Sequence, residues 1–232
     1  MLGAVCAVLF GVAKTGVPGV GMLAIPLMVV TVGDARHAAA WTTPILIVGD
    51  IFAVAYWHRH ADARALFSLV PWVAIGMAGG GAALSLSEPV LRRTLGFVVL
   101  GMLALNVWRR LRPGLRVGGH PSFYGVAAGF ATTIANSAGP VMNIYLLMKR
   151  LPKEQFVATG AWFFLTVNVA KLPIYWSYGL FSRTSLLFDA AMIPAVVCGA
   201  FAGLWLMHRI PQRLFDILVI TMTALASILL FR

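Results

Sequence analysis

The chain has 232 residues, of which 60% are hydrophobic and only 11% charged, and its mean hydropathy is +0.89. One soluble core cannot bury so much apolar surface, so a water-soluble domain is excluded and a polytopic membrane protein is expected. The net charge of +11 falls in short loops, where it sets membrane orientation; no basic patch with a supporting fold points to nucleic acid.

Eight apolar segments follow one another, most of them near the roughly 20 residues that a spanning helix needs. The first is too long, and too soon followed by others, to be a cleaved signal peptide. The segments are 2–32, 37–58, 65–86, 89–108, 121–148, 155–177, 185–207 and 210–231. Almost nothing remains for a soluble domain, so we predict an all-α membrane protein.

The first segment is interrupted by the run Lys-Thr-Gly-Val-Pro-Gly-Val-Gly at residues 14–21. Three glycines and a proline in eight positions remove a backbone donor and lower helix propensity, so the helix should break near the bilayer centre. Irregular backbone at that depth is tolerated only where protein or a water-filled cavity satisfies it, and a buried lysine is costly. The break therefore predicts a functional site.

The two halves of the chain align when one is shifted by 119 residues. Tyr56-Trp57 then falls on Tyr175-Trp176, Gly80 on Gly199, and the first break on Thr133–Pro140. We predict two repeats, 1–110 and 121–232, joined by a linker at 111–120, each with a broken segment followed by three ordinary segments. The small residues at 76–81 and 199–203 are expected to allow close helix packing.

Two topologies are compatible with this plan. If each broken segment crosses the membrane, the chain makes eight full spans in parallel repeats, and the loop lysines and arginines split evenly between the two sides. If each is a re-entrant hairpin, the repeats are inverted and the split becomes about eleven to five. The hairpin arrangement restores the expected charge bias, and we favour it.

Two further charges lie inside apolar segments. Asp50 is either a structural carboxylate, paired with a lysine or capping a backbone amide, or a protonation site coupled to transport. Lys171 either snorkels to the interface or faces a cavity. The shift of 119 places Asp50 opposite Val169, one turn from Lys171, so a contact between the two charges is conceivable.

The breaks favour an anion. The second arms are expected to begin near Met22 and Val141, where helix N-termini would present unpaired N–H groups and partial positive charge. Lys14 adds a full charge and nearby side chains can donate hydrogen bonds. Alternatively, the break serves packing only and Lys14 pairs with Asp50. The candidate substrate-binding residues are Lys14, Thr15, Gly16, Gly19, Gly21, Met22, Thr133, Asn136, Ser137 and Gly139; Thr132 and Asn168 are further polar side chains in these segments.

The stretch Gly11–Gly21 leading to Ile25-Pro26-Leu27, with an echo at Gly129–Pro140, resembles the sulfite exporter TauE/SafE family of membrane permeases. The similarity extends over essentially the whole chain in length, segment number and repeat plan. It implies export or uptake of small anions such as sulfite, sulfoacetate, other organosulfonates or related carboxylates. It also implies a bacterial inner (plasma) membrane protein.

Three functional classes follow: a secondary transporter of small anions, an anion channel of the same architecture, and, least favoured, an intramembrane enzyme. No Ser/His pair, paired carboxylates or metal triad falls at matching depth, and no phosphate-binding loop is present. We therefore expect no enzyme, no cofactor and no metal site, with Cys6 and Cys198 as isolated thiols. The expected partners are a small anionic substrate, the lipid bilayer and, as candidate coupling ion, protons.

Overall fold

The computed structural model describes residues 1–84, 90 and 120–229, and within them the chain forms nine α-helices and no β-strand. A short 3₁₀ turn, His58–His60, follows the third helix. The helices are α1 (Leu2–Thr15), α2 (Val20–Val32), α3 (Ala35–Trp57), α4 (Ala63–Ala83), α5 (Pro121–Ala135), α6 (Ala138–Lys149), α7 (Lys153–Ser177), α8 (Arg183–Arg209) and α9 (Gln212–Leu229).

Four of the described helices, α3, α4, α7 and α8, are long and apolar enough to cross a membrane. Their spans match four of the predicted segments, so the prediction of an all-α polytopic membrane protein is confirmed. The predicted segment 89–108, apart from residue 90, and the linker 111–120, apart from residue 120, lie outside the described residues.

Both predicted breaks are present. The first separates α1 from α2, and Gly19 there has φ 105°, a left-handed conformation that glycine adopts without steric cost. The second separates α5 from α6, with Asn136 at φ 51° as the C-cap of α5. The second arms begin at Val20 and Ala138, two to three residues earlier than the sequence predicted, because proline is accommodated in the first turns of a helix or just before it.

The start of α8 contacts the starts of α1 and α3, and the end of α8 contacts their ends. On α1, Gly3 lies against Phe188 and Gly16 against Gly203. On α3, the Trp41 ring lies 5.8 Å from that of Phe188, and the Tyr56 hydroxyl lies 3.2 Å from His208 Nε2. Helices α1, α3 and α8 therefore run in the same direction, and α2 carries the chain back to the level at which α1 begins.

Helix α5 packs on α4 as α1 packs on α8. A Cβ added to Gly11 would lie 2.2 Å from the Val196 carbonyl oxygen, and one added to Gly129 would lie 2.2 Å from that of Val73. No side chain fits at either glycine, so the backbones of each helix pair touch directly. Such close approach is how small residues hold helices together in lipid.

The contacts also correct the alignment of the halves. Gly203 packs on Thr15 and Gly80 packs on Thr133, so Gly80 corresponds to Gly203 and not to Gly199. The offset is 118 residues in the broken segments and 123 residues in α4 and α8. The single shift of 119 was wrong at these positions, because it cannot accommodate two different offsets.

The corresponding helices α3 and α7 cross in opposite directions. The Asp62 N–H, just after α3, donates to Thr159 Oγ1 near the start of α7, at 2.9 Å. At the other end, Ala40 shares an apolar cluster with Tyr175. The two helices meet between these points, where both broken segments end.

Candidate functional site

A cavity of about 80 Å³ lies where the two breaks meet. It is large enough for several water molecules or one small oxyanion. It is lined by both breaks and by α3, α6 and α7, and its walls are mostly apolar. The lining includes Phe10, Lys14, Pro18, Gly19, Gly21, Leu46, Thr132, Asn136, Gly139, Asn143, Phe164 and Asn168.

Lys14 and Asp50 form an ion pair at the edge of this cavity. Lys14 Nζ lies 2.8 Å from Asp50 Oδ1, with the lysine side chain 11% exposed and the carboxylate fully buried. Asn168 Nδ2 donates to the other carboxylate oxygen at 2.6 Å, and Lys14 Nζ lies 4.2 Å from the centre of the Phe164 ring. Asp50 therefore has an ion-pair partner at one oxygen and a hydrogen-bond donor at the other, which offsets part of the cost of burying a carboxylate. The pairing that the sequence left as an alternative for these two charges is present.

Asp50 and Asn168 occupy corresponding positions of the two halves, 118 residues apart. Val169, which the shift of 119 placed opposite Asp50, is 48% exposed on the outside of α7. The same offset of 118 relates Trp57 to Tyr175. Trp57 Nε1 donates to the Thr15 carbonyl at 3.1 Å and the Tyr175 hydroxyl donates to the Thr133 carbonyl at 2.7 Å. In both halves an aromatic donor therefore binds the open C-terminus of the broken helix.

Lys171 is fully buried, so the expectation that it snorkels is wrong. Its ammonium donates to Thr132 Oγ1 at 3.1 Å, to the Thr132 carbonyl at 3.3 Å, and to Asn136 Oδ1. Its hydrogen bonds go to the C-terminus of α5, where the helix dipole favours a cation, and the conceivable contact with Asp50 is made by Lys14 instead. Among the described residues, Lys14 is the charged side chain that lines the cavity, while Lys171 and Asp50 contact the lining residues Asn136 and Asn168.

Asn136 joins the second break to the first half. Its Nδ2 donates to the Ala39 carbonyl of α3 at 2.7 Å, while its Oδ1 accepts from Lys171. The residue also lines the cavity. Asn136 therefore connects the second break to α3, and its side chain lies between the Lys171 ammonium and the cavity.

The predicted binding residues divide into two groups. Lys14, Gly19, Gly21, Asn136 and Gly139 line the cavity, whereas Thr15, Gly16, Thr133 and Ser137 do not. The hydroxyl of Thr15 donates to the Ala200 carbonyl at 2.7 Å and that of Thr133 to the Gly129 carbonyl at 2.9 Å, while Gly16 packs on Gly203. Ser137 is buried, and the side chain of Met22 lies outside the described part of the chain.

Sequence reasoning missed most of the apolar lining, including Phe10 and Phe164, and one polar lining residue, Asn143. Asn143 Nδ2 donates to Thr223 Oγ1 of α9 at 3.2 Å. An asparagine two residues beyond Val141 in an apolar helix is a signal that could have been used, because an intramembrane amide needs a partner. The two phenylalanines carry no such signal in a chain so rich in apolar residues.

A family model described as "Sulfite exporter TauE/SafE" matches residues 3–230, nearly the whole chain. The chain belongs to this family. A search of the curated proteins and of the solved structures gives no match. Membership in the TauE/SafE family agrees with the four apolar spans in making the chain an integral membrane protein of a transporter family, and it agrees with a non-enzymatic role.

Proposed function

We propose that this TauE/SafE protein is a secondary transporter of small anions such as sulfite, organosulfonates or related carboxylates. One observation carries the proposal: among the residues described, a cavity at two helix breaks is lined by Lys14, and its lining residues contact a second lysine, Lys171, and one carboxylate, Asp50. With both lysines protonated, one buried positive charge is in excess. A singly charged anion would neutralise it, and a cation or neutral substrate would not.

The backbone adds to the same preference. Gly19 and Gly21 bring the N-terminus of α2 to the cavity wall, and Gly139 does so for the N-terminus of α6. The first N–H groups of a helix have no partner within the helix and carry partial positive charge. Two such ends beside Lys14 suit the oxygens of a sulfonate, sulfite or carboxylate head group.

Lys14 is the proposed contact to the anion, in addition to its pair with Asp50. The ammonium touches the cavity and has three donors, so it can bind an anion while it keeps Asp50. Asp50 is held independently by Asn168 at 2.6 Å and need not move.

We further propose that the halves are inverted repeats, each a re-entrant hairpin followed by membrane-spanning helices. Two observations support this over eight spans in parallel repeats. Helices α1 and α3 run in the same direction, so α2 returns to the starting side; and the corresponding helices α3 and α7 run in opposite directions. Alternating access would then arise when α1 and α5 shift against α8 and α4 along their glycine contacts. A bacterial inner membrane is the proposed location.

Anion flux in proteoliposomes tests the function. The purified protein should exchange labelled methanesulfonate, sulfite or sulfoacetate across the bilayer, and Lys14→Met combined with Asp50→Asn should abolish this exchange while leaving a folded protein. Lys149→Met, which removes an exposed lysine away from the cavity, is the matched control and should exchange at the wild-type rate. Undiminished exchange by the folded double variant would overturn the assignment of the site, and no flux of any of these anions would overturn the function.

A further inference from the structure

A second buried carboxylate, Asp189, lies outside the site described above. Asp189 lies less than two turns after the start of α8 and is 6% exposed. Neither of its carboxylate oxygens has a hydrogen-bond donor among the residues that the structure describes. The Trp41 ring packs 5.8 Å from the ring of Phe188, the neighbour of Asp189, and Trp41 Nε1 is likewise buried without an acceptor. Two buried polar groups, the Asp189 carboxylate on α8 and Trp41 Nε1 on α3, therefore lack a hydrogen-bond partner among the described residues.

No charged side chain among the described residues forms a hydrogen bond with the Asp189 carboxylate. Helices α1 and α3 pack against α8, and none of their titratable groups donates to Asp189. Lys14 is bound to Asp50, His37 to Asp34, and Tyr56 to His208. The titratable and charged groups on these three helices are Cys6, Lys14, Arg36, His37, Asp50, Tyr56, Arg183, Cys198, His208 and Arg209. A carboxylate buried without a partner in a membrane span is a functional candidate, because its charged form is costly.

Asp189 and Asp50 are therefore in opposite situations. Asp50 is paired with the ammonium of Lys14 at one oxygen and accepts a hydrogen bond from the amide of Asn168 at the other, so its charged form has partners in the structure. Asp189 has no such partners, and binding a proton or another cation would remove the free-energy cost of its buried negative charge. Of the two buried acids, Asp189 is the one suited to bind and release a proton.

Its place relative to the cavity suits such a role. Val196, which packs beside Gly49 and Gly11, marks the level of Lys14, and Asp189 lies seven residues earlier on α8, about 10 Å along the helix. Asp189 is thus displaced from the cavity toward the membrane face at which α1 and α8 begin. Because α8 contacts α1 through backbone, a shift of α8 that opens the cavity must also move Asp189.

We propose that Asp189 is the proton-binding site that couples anion movement to the proton gradient. The inference rests on the proposed transport function and adds its coupling residue. In the conformation described, the acid is buried on α8 and holds on its carboxyl group a proton taken up from one side of the membrane. When α8 moves relative to α1, the carboxyl group meets water on the other side and releases the proton there, so one proton crosses for each cycle of α8.

The test uses labelled methanesulfonate, a sulfonate that stays ionised across the working pH range, with the full-length protein in proteoliposomes. Exchange is measured at equal pH on both sides, and accumulation under an imposed pH gradient. Asp189→Asn should keep exchange within about twofold of wild type and lose at least tenfold in gradient-driven accumulation. Asp216→Asn, which neutralises an acid already hydrogen-bonded by Gln212 on α9, is the matched control and should keep both activities.

Full gradient-driven accumulation by Asp189→Asn would overturn the proposal, and so would loss of equal-pH exchange in a variant that remains folded. If Asp189→Asn does not fold, wild-type vesicles containing a pH-sensitive dye decide the question: a methanesulfonate gradient should move protons, and anion flux without proton movement would overturn coupling. No exchange of any sulfonate, sulfite or carboxylate by the wild-type protein would instead overturn the proposed function.

Discussion

Asn168 donates a hydrogen bond of 2.6 Å to Asp50, and the two residues occupy corresponding positions in the two halves of the chain. Helices α3 and α7 cross at this bond, and Lys14 completes it from the first break. The contact between α3 and α7 at this point is therefore a polar one, between an acid and an amide. Two carboxylates at these positions would repel each other, whereas the acid and the amide attract.

Removing Lys14 should destabilise the protein. Lys14→Met leaves Asp50 buried without its counter-charge, and breaking a buried pair from one side typically costs about 3–5 kcal/mol. Asp50→Asn added to Lys14→Met removes the orphaned charge and should recover most of the loss. Thermal unfolding in detergent checks both variants, with Lys149→Met as the control. Wild-type stability of Lys14→Met alone would show that the pair contributes little.

The stability of the protein should depend on the hydrogen bond that the Asn168 amide donates to Asp50, and not only on the volume of the Asn168 side chain. Asn168→Leu has a similar size but leaves Asp50 Oδ2 without a hydrogen bond, which should lower the unfolding free energy by about 1–3 kcal/mol. The same change at Asn143, which binds a neutral threonine hydroxyl, should cost less because the partner is uncharged. Equal losses at both sites in the same unfolding assay would contradict this ranking.

The glycine contacts predict a sharp contrast between neighbouring substitutions. Gly129→Ala places a methyl group 2.2 Å from the Val73 carbonyl oxygen, so α5 and α4 must separate, with an expected cost of at least about 1–3 kcal/mol. Gly79→Ala on α4 meets its nearest atom at 3.9 Å and should be neutral or stabilising, because alanine favours the helix. Unfolding midpoints of the two variants give the comparison, and a tolerated Gly129→Ala would mean that this interface is loose.

Topology can be decided by labelling two exposed arginines. In the hairpin arrangement the turn at Arg59 and the loop before α8 at Arg183 lie on opposite sides of the membrane, whereas eight full spans place them on the same side. Arg59→Cys and Arg183→Cys, each made after replacing Cys6 and Cys198 with serine, should react with an impermeant thiol reagent from opposite faces. Labelling of both from one face would exclude the re-entrant hairpins.

Anion binding should depend on Lys171, because this residue holds the end of α5 in place at the cavity. Its ammonium holds Thr132 and Asn136, which line the cavity, so Lys171→Met should release the C-terminus of α5 and remove the excess positive charge. We expect at least tenfold weaker binding of methanesulfonate in a thermal-shift titration. Arg150→Met removes an exposed cation far from the cavity and should bind normally. Normal affinity in a folded Lys171→Met variant would assign Lys171 to structure alone.

The amino-acid sequence by itself determined the class of the protein, the four apolar spans, both helix breaks and the family. Each of these depends on local composition: long apolar runs need a bilayer, and clustered glycine and proline interrupt a helix wherever they occur. The same local signals identified Lys14, Asn136 and three glycines that line the cavity.

Only the tertiary structure decided which charges and which halves meet. The sequence offered the pair of Lys14 with Asp50 only as one alternative, and a shift wrong by one residue placed Asp50 opposite exposed Val169; the structure gives Lys14 and Asn168 as its partners. Thr15 and Thr133 donate to backbone carbonyls, a choice that depends on how closely helices approach. Pairing of buried charges and direct backbone contact depend on distances between segments more than 100 residues apart, and local sequence patterns do not encode those distances.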